Sequence, residues 1–133
     1  MIRTLRQHIA QEETVIAEAD AATRAFLLAD FHVCLAGAPG HRVLADVLRD
    51  LTARTTLVAT LYQSTHDARQ SCVEHAQIVQ AIESGDMEDA AQRMLAHIGN
   101  VEDALGQAVN TPGDARERLR ASLSPLSPPA GAR

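Results

Sequence analysis

The sequence is poor in aromatic residues, which make up 2% of its 133 positions, with no tryptophan, one tyrosine and two phenylalanines. A core of this composition must come from small and branched aliphatic side chains, which pack well between helices. The length suits one domain with a single core and no need for disulfide bonds. We therefore predict an all-α fold, an antiparallel helical bundle.

Further absences limit the function classes. The two cysteines form no CxxC pair, no signal-like leader precedes them, and no apolar run is long enough to span a membrane. Basic residues do not cluster with aromatic ones, and the formal net charge is −5, which argues against direct nucleic-acid binding. HExxH motifs, nucleophile elbows and phosphate-binding loops are also missing. These features predict a reduced cytoplasmic protein that is not an enzyme.

The hydrophobic pattern predicts five helices and a tail. The helices cover about residues 3–18, 20–36, 42–63, 68–83 and 87–109, separated by turn and cap residues at 37–40, 64–67 and 84–86. We assign residues 1–110 to one helical domain. Residues 111–133, which end in a stretch rich in proline, serine and alanine, form a partly disordered tail in this interpretation.

Three histidines each lie in the apolar stripe of a different predicted helix: His32, His75 and His97. Because a buried imidazole needs a polar partner, each of them must be satisfied inside the fold. A single core histidine usually bonds to a backbone carbonyl, whereas three on three helices suggest a shared divalent metal. Both interpretations stay open on the pattern alone.

The other candidate residues have weaker signals. His8, His41 and His66 lie in polar or loop-like segments, so we expect these side chains to be solvated. Cys72 lies three residues before His75 and could share its helix face as a metal ligand, although an inert buried thiol is the favoured interpretation.

An arginine interrupts the apolar side of the third predicted helix. Arg54 falls between Leu51 and Val58 on this side. Either its aliphatic stem lies along the apolar surface and carries the guanidinium to solvent, or the guanidinium meets an anion inside the bundle. Beside a histidine cluster, a metal and a guanidinium facing one cavity would suit a small carboxylate.

Several segments, taken in order, resemble one family. Residues 30–35 (DFHVCL) resemble its F-H motif, and residues 40–44 (GHRVL) resemble its Gly-Asn-x-x-Leu turn. Residues 74–86 are similar to the signature E-H-x-x-I-x-x-A-I-x-x-G-D, and residues 90–97 continue into A-x-x-x-M-x-x-H. The family is the FCD domain, the effector-binding C-terminal domain of GntR transcription regulators of the FadR subgroup. The resemblance covers about residues 5–105.

The resemblance implies a helical bundle whose cavity holds a divalent metal, Zn²⁺ or alternatively Ni²⁺ or Mn²⁺, with a small organic acid beside it. Its metal ligands correspond to His32, His75 and His97, and its anion-binding arginine corresponds to Arg54. Tyr62, one turn beyond Val58, is a further candidate for the effector cavity, although core packing explains it equally well. A homodimer is also implied, with DNA bound only through a winged helix-turn-helix domain that this chain lacks.

The sequence departs from the family pattern in three places. Leu28 stands four residues before the first histidine, where metal-binding members usually carry an aspartate. Three imidazoles and a water still make an acceptable Zn²⁺ site, and a metal-free pocket lined by protonated histidines is the alternative. His41 stands where the family usually has asparagine. The first helix of the family domain is missing as well as the winged helix, so we expect a partner chain to complete the bundle.

Two other function classes stay open. Three histidines with an open coordination position also suit a zinc hydrolase, for which Glu74 is the nearest carboxylate in sequence, although it more readily caps, pairs or faces solvent. A structural helical interaction module with unrelated core histidines would bind neither metal nor effector. The resemblance favours the ligand-sensing domain of a bacterial transcription regulator.

Overall fold

The computed structural model describes residues 1–110 and Arg120, and within this part it contains five α-helices and no strand. The helices are α1 (Ile2–Glu18), α2 (Ala21–Gly37), α3 (Arg42–Tyr62), α4 (Thr65–Glu83) and α5 (Met87–Asn110). The predicted all-α helical fold is confirmed. Apart from Arg120, the proposed disordered tail lies outside the described residues. Among the helices described, none combines the length and apolar character needed to cross a membrane.

Side-chain caps explain where two of the helices begin. The Asp20 carboxylate accepts a hydrogen bond from the Thr23 backbone N–H at 2.8 Å, at the start of α2. Ser64 and Asp67 form a capping box, in which each side chain accepts a bond from the backbone N–H of the other residue. Asp67 therefore belongs to the first turn of α4, and this helix begins at Thr65, three residues before the predicted start.

The turn between α4 and α5 follows the prediction closely. Gly85 has a φ of +80°, a left-handed conformation that ends a helix at little cost only in glycine. The next residue, Asp86, accepts a hydrogen bond from the Asp89 backbone N–H at 2.9 Å. The turn and cap residues predicted at 84–86 therefore fix the chain reversal that places α5 against α4.

The core lies where α1, α2 and α4 meet. Its buried residues are Leu5, Ile9, Ile16, Leu28, Phe31, Ala68, Cys72, Ile78 and Val79. Phe31 is fully buried and is the largest side chain there. Cys72 is free and buried, and burial raises the pKa of its thiol to about 12, as expected for an inert core cysteine.

Helix α3 packs on α2 but leaves most of its apolar stripe open. Only Ala45 is buried among its residues, and Leu48 packs beside it. Four apolar side chains between 40% and 52% exposed form what we call the α3 face: Leu44, Val47, Leu51 and Val58. The stripe that the sequence shows is real, but within the described residues nothing covers most of it.

Candidate metal centre

The three predicted metal ligands meet inside the bundle. Helix α2 carries His32, α4 carries His75 and α5 carries His97, and each offers a ring nitrogen within 4.8 Å of the other two. His75 and His97 are buried and His32 is half-buried. The Nε2 atoms of His75 and His97 lie 3.1 Å apart. The structure thus brings together the histidines that the helical spacing singled out.

A buried carboxylate and an aromatic ring fix His75. Its Nδ1 lies 3.0 Å from both carboxylate oxygens of Glu12, and that side chain is 0% exposed. The imidazole also stacks on Phe31, with ring centroids 3.8 Å apart and an interplanar angle of 12°. Because an ionised carboxylate only accepts hydrogen bonds, Nδ1 of His75 carries the hydrogen. Nε2 therefore presents its lone pair to the cluster.

His97 is held in the same way by a second carboxylate. Its Nδ1 lies 2.7 Å from Oε2 of Glu74, and Oε1 of that residue accepts a bond from the Asn100 amide at 2.7 Å. Nε2 of His97 consequently faces the cluster with a lone pair as well. Glu74 lies behind the imidazole, on the side away from the cluster, where it is badly placed to act as the base of a hydrolase.

The donor set fits a divalent metal. Two lone pairs that face each other at 3.1 Å repel unless a proton or a metal ion lies between them. In a tetrahedral site with metal–nitrogen bonds of about 2.0–2.1 Å, two ligand nitrogens lie about 3.3 Å apart. The observed separation is close to this value. Carboxylates on the far nitrogens of metal-binding imidazoles are the usual means of fixing their tautomer.

Burial keeps two of the rings in the form that binds metal. It lowers the pKa of His32 to about 3. Burial also lowers the pKa of His75, against the raising effect of Glu12. Both imidazoles are therefore neutral at pH 7. This argues against the alternative in which protonated histidines at these two positions bind an anion without a metal.

The expectation that His8 is solvated is wrong. Its side chain is 6% exposed, and Nε2 lies 3.1 Å from the Leu27 carbonyl oxygen and 3.3 Å from Glu12. His8 and Glu12 are one turn apart and satisfy each other inside the core. His41 and His66 are exposed, as expected. The missed signal is that Leu5, Ile9 and Ile16 lie at intervals of four and seven on the α1 face that also carries His8 and Glu12.

The predicted effector-binding residues lie outside the histidine cluster. Arg54 is on α3, its side chain is 74% exposed, and it pairs with Asp50 at 3.2 Å on the same helix. Tyr62 is half-buried at the end of α3 and makes no hydrogen bond or ring contact with the histidines in the described structure. The roles of Arg54 and Tyr62 in effector binding stay predictions.

A comparison with known families shows which kind of domain carries this cluster. The FCD domain matches residues 1–100. The chain belongs to the FCD domain family. This family provides the effector-binding domains of GntR-type transcription regulators. Comparisons with curated proteins and with solved structures gave no match.

In this FCD domain the position of the usual aspartate is part of the apolar core. Leu28 is 5% exposed and packs with the other core residues of α2 and α4. Besides Glu74, which contacts His97, a carboxylate comes from Glu12 on α1, and it contacts Nδ1 of His75. Glu12 therefore supports a ligand from behind and leaves the cluster with three imidazoles as its donors.

Proposed function

We propose that this FCD domain senses a small carboxylate metabolite, which binds at a divalent metal held by His32, His75 and His97. The observation that carries the proposal is the 3.1 Å separation of two Nε2 atoms whose Nδ1 partners are both carboxylates. Zn²⁺ is the favoured ion, with Ni²⁺ and Mn²⁺ as alternatives, since imidazole ligands suit several of these metals.

The open coordination position suits an anionic ligand. Three imidazoles bring no negative charge into the coordination shell, because the carboxylates of Glu12 and Glu74 lie behind the rings, and they leave one coordination position open. A carboxylate oxygen suits that position in charge and in ligand type. Arg54 is the proposed second contact for the same anion, and Tyr62 is a proposed lining residue of the cavity. The chain's histidines bind and orient the metal, while the organic acid is the regulatory signal.

The α3 face supports a homodimer. Four apolar side chains that are 40–52% exposed lie on one helix, and a second copy of the domain would remove them from water. We infer that a pair of α3 faces forms the dimer interface. DNA binding then belongs to a winged-helix domain of the same regulator, outside these 133 residues, and the site of action is the cytoplasm.

A thermal-shift screen tests the sensing proposal. The protein is stripped with a chelator, reloaded with Zn²⁺, and screened with mono-, di- and tricarboxylates. We expect at least one acid to raise the Tm of the Zn²⁺-loaded protein and to have no effect on the stripped protein. His97→Ala should abolish the effect, whereas His66→Ala, which replaces an exposed histidine, should retain it. Equal stabilisation of the stripped protein would contradict a metal-borne effector site.

A further inference from the structure

A second group of metal-binding side chains lies between α1 and α2, apart from the three histidines. It consists of His8, Asp30 and Cys34, whose potential ligand atoms all lie within 4.8 Å of one another. The Cys34 Sγ is 3.7 Å from Nδ1 of His8 and 3.5 Å from Oδ2 of Asp30. Asp30 and Cys34 are one turn apart on α2, so the helix itself presents both of them to His8.

The surroundings of His8 prepare its Nδ1 as a ligand. Nε2 lies 3.1 Å from the Leu27 carbonyl oxygen and 3.3 Å from a carboxylate oxygen of Glu12, and both of these groups only accept hydrogen bonds. Nε2 therefore carries a hydrogen. In the neutral ring the lone pair is then on Nδ1, which faces Cys34. This arrangement matches the way carbonyls and carboxylates orient metal-binding imidazoles.

When the His8 ring is neutral and no cation is bound, this group has too few hydrogen-bond donors. Cys34 has one S–H, yet its sulfur lies beside two acceptors, Nδ1 of His8 and the carboxylate of Asp30. The thiol hydrogen can bond to only one of these two acceptors, so the other acceptor faces the sulfur without a hydrogen bond from it. A divalent metal ion among the three groups satisfies all of them at once. A proton on Nδ1 of His8, whose pKa is raised chiefly by its hydrogen bond to Glu12, would do the same, and the cobalt titration separates these two states.

The distances also suit zinc. With a Zn–S bond of about 2.3 Å and a Zn–N or Zn–O bond of about 2.0–2.1 Å, tetrahedral geometry places sulfur about 3.6 Å from each other ligand. The two observed distances from Sγ lie on either side of this value. A thiolate ligand selects Zn²⁺ over harder ions such as Mg²⁺ and Ca²⁺.

We propose that His8, Asp30 and Cys34 form a second divalent-metal site that takes Zn²⁺, with water as the fourth ligand. Binding converts the Cys34 thiol to a thiolate and releases its proton to solvent. Glu12 contacts His8 on one side and His75 on the other, so one buried carboxylate supports a ligand of each site. The second site does not depend on the function proposed for the first.

Cobalt titration tests the second site, because thiolate-to-Co²⁺ charge transfer gives a near-ultraviolet absorption that a site made only of histidines lacks. We expect the stripped protein to bind about two Co²⁺ per chain and to develop this band. Cys34→Ser should lose the band and one equivalent of Co²⁺. The matched thiol control, Cys72→Ser, should retain both.

A further variant separates the two sites. His75→Ala removes a ligand of the three-histidine cluster, so it should lose one equivalent of Co²⁺ and keep the charge-transfer band. If the three-histidine cluster does not sense a carboxylate, this band should still appear, because it depends on the Cys34 thiolate. A wild-type protein without the band at excess Co²⁺ would overturn the second site and would indicate that a protonated His8 simply donates to the sulfur.

A measurement without substitutions guards against variants that fail to fold. The stripped wild-type protein is treated with a thiol-specific alkylating reagent with and without Zn²⁺, and the modified peptides are quantified by mass spectrometry. We expect Zn²⁺ to slow the modification of Cys34 at least about tenfold, because a coordinated thiolate is withdrawn from attack. Equal rates at Cys34 with and without Zn²⁺ would contradict the proposal.

Discussion

The carboxylate of Glu12 lies 3.0 Å from Nδ1 of His75, although 63 positions separate the two residues in sequence. Burial acts to raise the pKa of Glu12, but hydrogen bonds to His75 and His8 outweigh it, so the pKa lies below its usual value. Glu12 is therefore ionised inside the core. Through this contact α1 supplies the carboxylate that supports the histidine cluster.

Replacing this carboxylate should weaken metal binding. We expect Glu12→Gln to lower the Zn²⁺ affinity of the three-histidine cluster about 10–100-fold, since the neutral amide neither fixes the tautomer of His75 nor raises its basicity as well. Competition with a chromophoric chelator measures the affinity. Glu13→Gln, a change of the neighbouring exposed residue, is the control and should bind as wild type does. Unchanged affinity in Glu12→Gln would show that the contact is structural only.

The stability of the metal-free protein should fall in mild acid partly because of His32. Its pKa is about 3 in the folded protein, against an ordinary value of 6.5, so between these pH values the unfolded chain binds a proton that the folded chain does not. This contribution to stability is present above pH 6.5 and is lost as the pH falls toward 3. Near pH 5, His32→Gln should reduce the slope of unfolding free energy against pH by about 1.4 kcal/mol per unit.

Urea unfolding at a series of pH values, with a chelator present, measures this slope. His66→Gln serves as the control, because the side chain of His66 is exposed and its loss should leave the slope as it is in the wild type. Parallel curves for His32→Gln and the wild type would contradict the burial of a neutral His32.

A charge on the α3 face should break the dimer. Leu51 is 52% exposed at this face, and in a dimer Leu51→Glu would place a carboxylate in an apolar interface. We expect the dimer dissociation constant to rise at least about tenfold by analytical ultracentrifugation. Val73→Glu on α4, a change at a position with the same 52% exposure, should leave the dimer unchanged. Equal association of the two variants would place the interface elsewhere.

Arg54 gives a test of how the effector is held. If its guanidinium binds the carboxylate, Arg54→Ala should weaken the acid found by the thermal-shift screen about tenfold, the usual size for the loss of a charged hydrogen bond. Arg49→Ala is the matched control, because Arg49 is also exposed on α3 and also pairs with an aspartate on its own helix. Equal affinity in both variants would remove Arg54 from the site.

Features that depend on local sequence were predictable. The Ser64 cap, the left-handed Gly85 and the stripes that carry His32, His75 and His97 all follow from spacings of a few residues, and the structure shows them. Local patterns are reliable here because residues three or four positions apart in sequence lie on the same face of a helix.

Features that depend on pairing between distant helices were not predictable. The sequence predicts His8 and Glu12 to be surface residues because each is polar. A buried carboxylate at Glu12 is favourable only because His75, on the distant helix α4, bonds to it. The α3 stripe predicts a buried face, but a stripe does not reveal which partner covers it. The proximity of His8 to Asp30 and Cys34 likewise requires α1 to be packed on α2.

The metal content of the untagged protein shows whether His32, His75 and His97 hold a metal. Elemental mass spectrometry is carried out on the wild type, His75→Ala and the exposed-residue control His41→Ala, each incubated with Zn²⁺, Ni²⁺ or Mn²⁺ and then desalted. We predict that His75→Ala carries one ion fewer per chain than the wild type and that His41→Ala matches the wild type. Equal metal content in His75→Ala and the wild type, or a wild type that binds none of the three ions, would contradict metal binding by the three histidines.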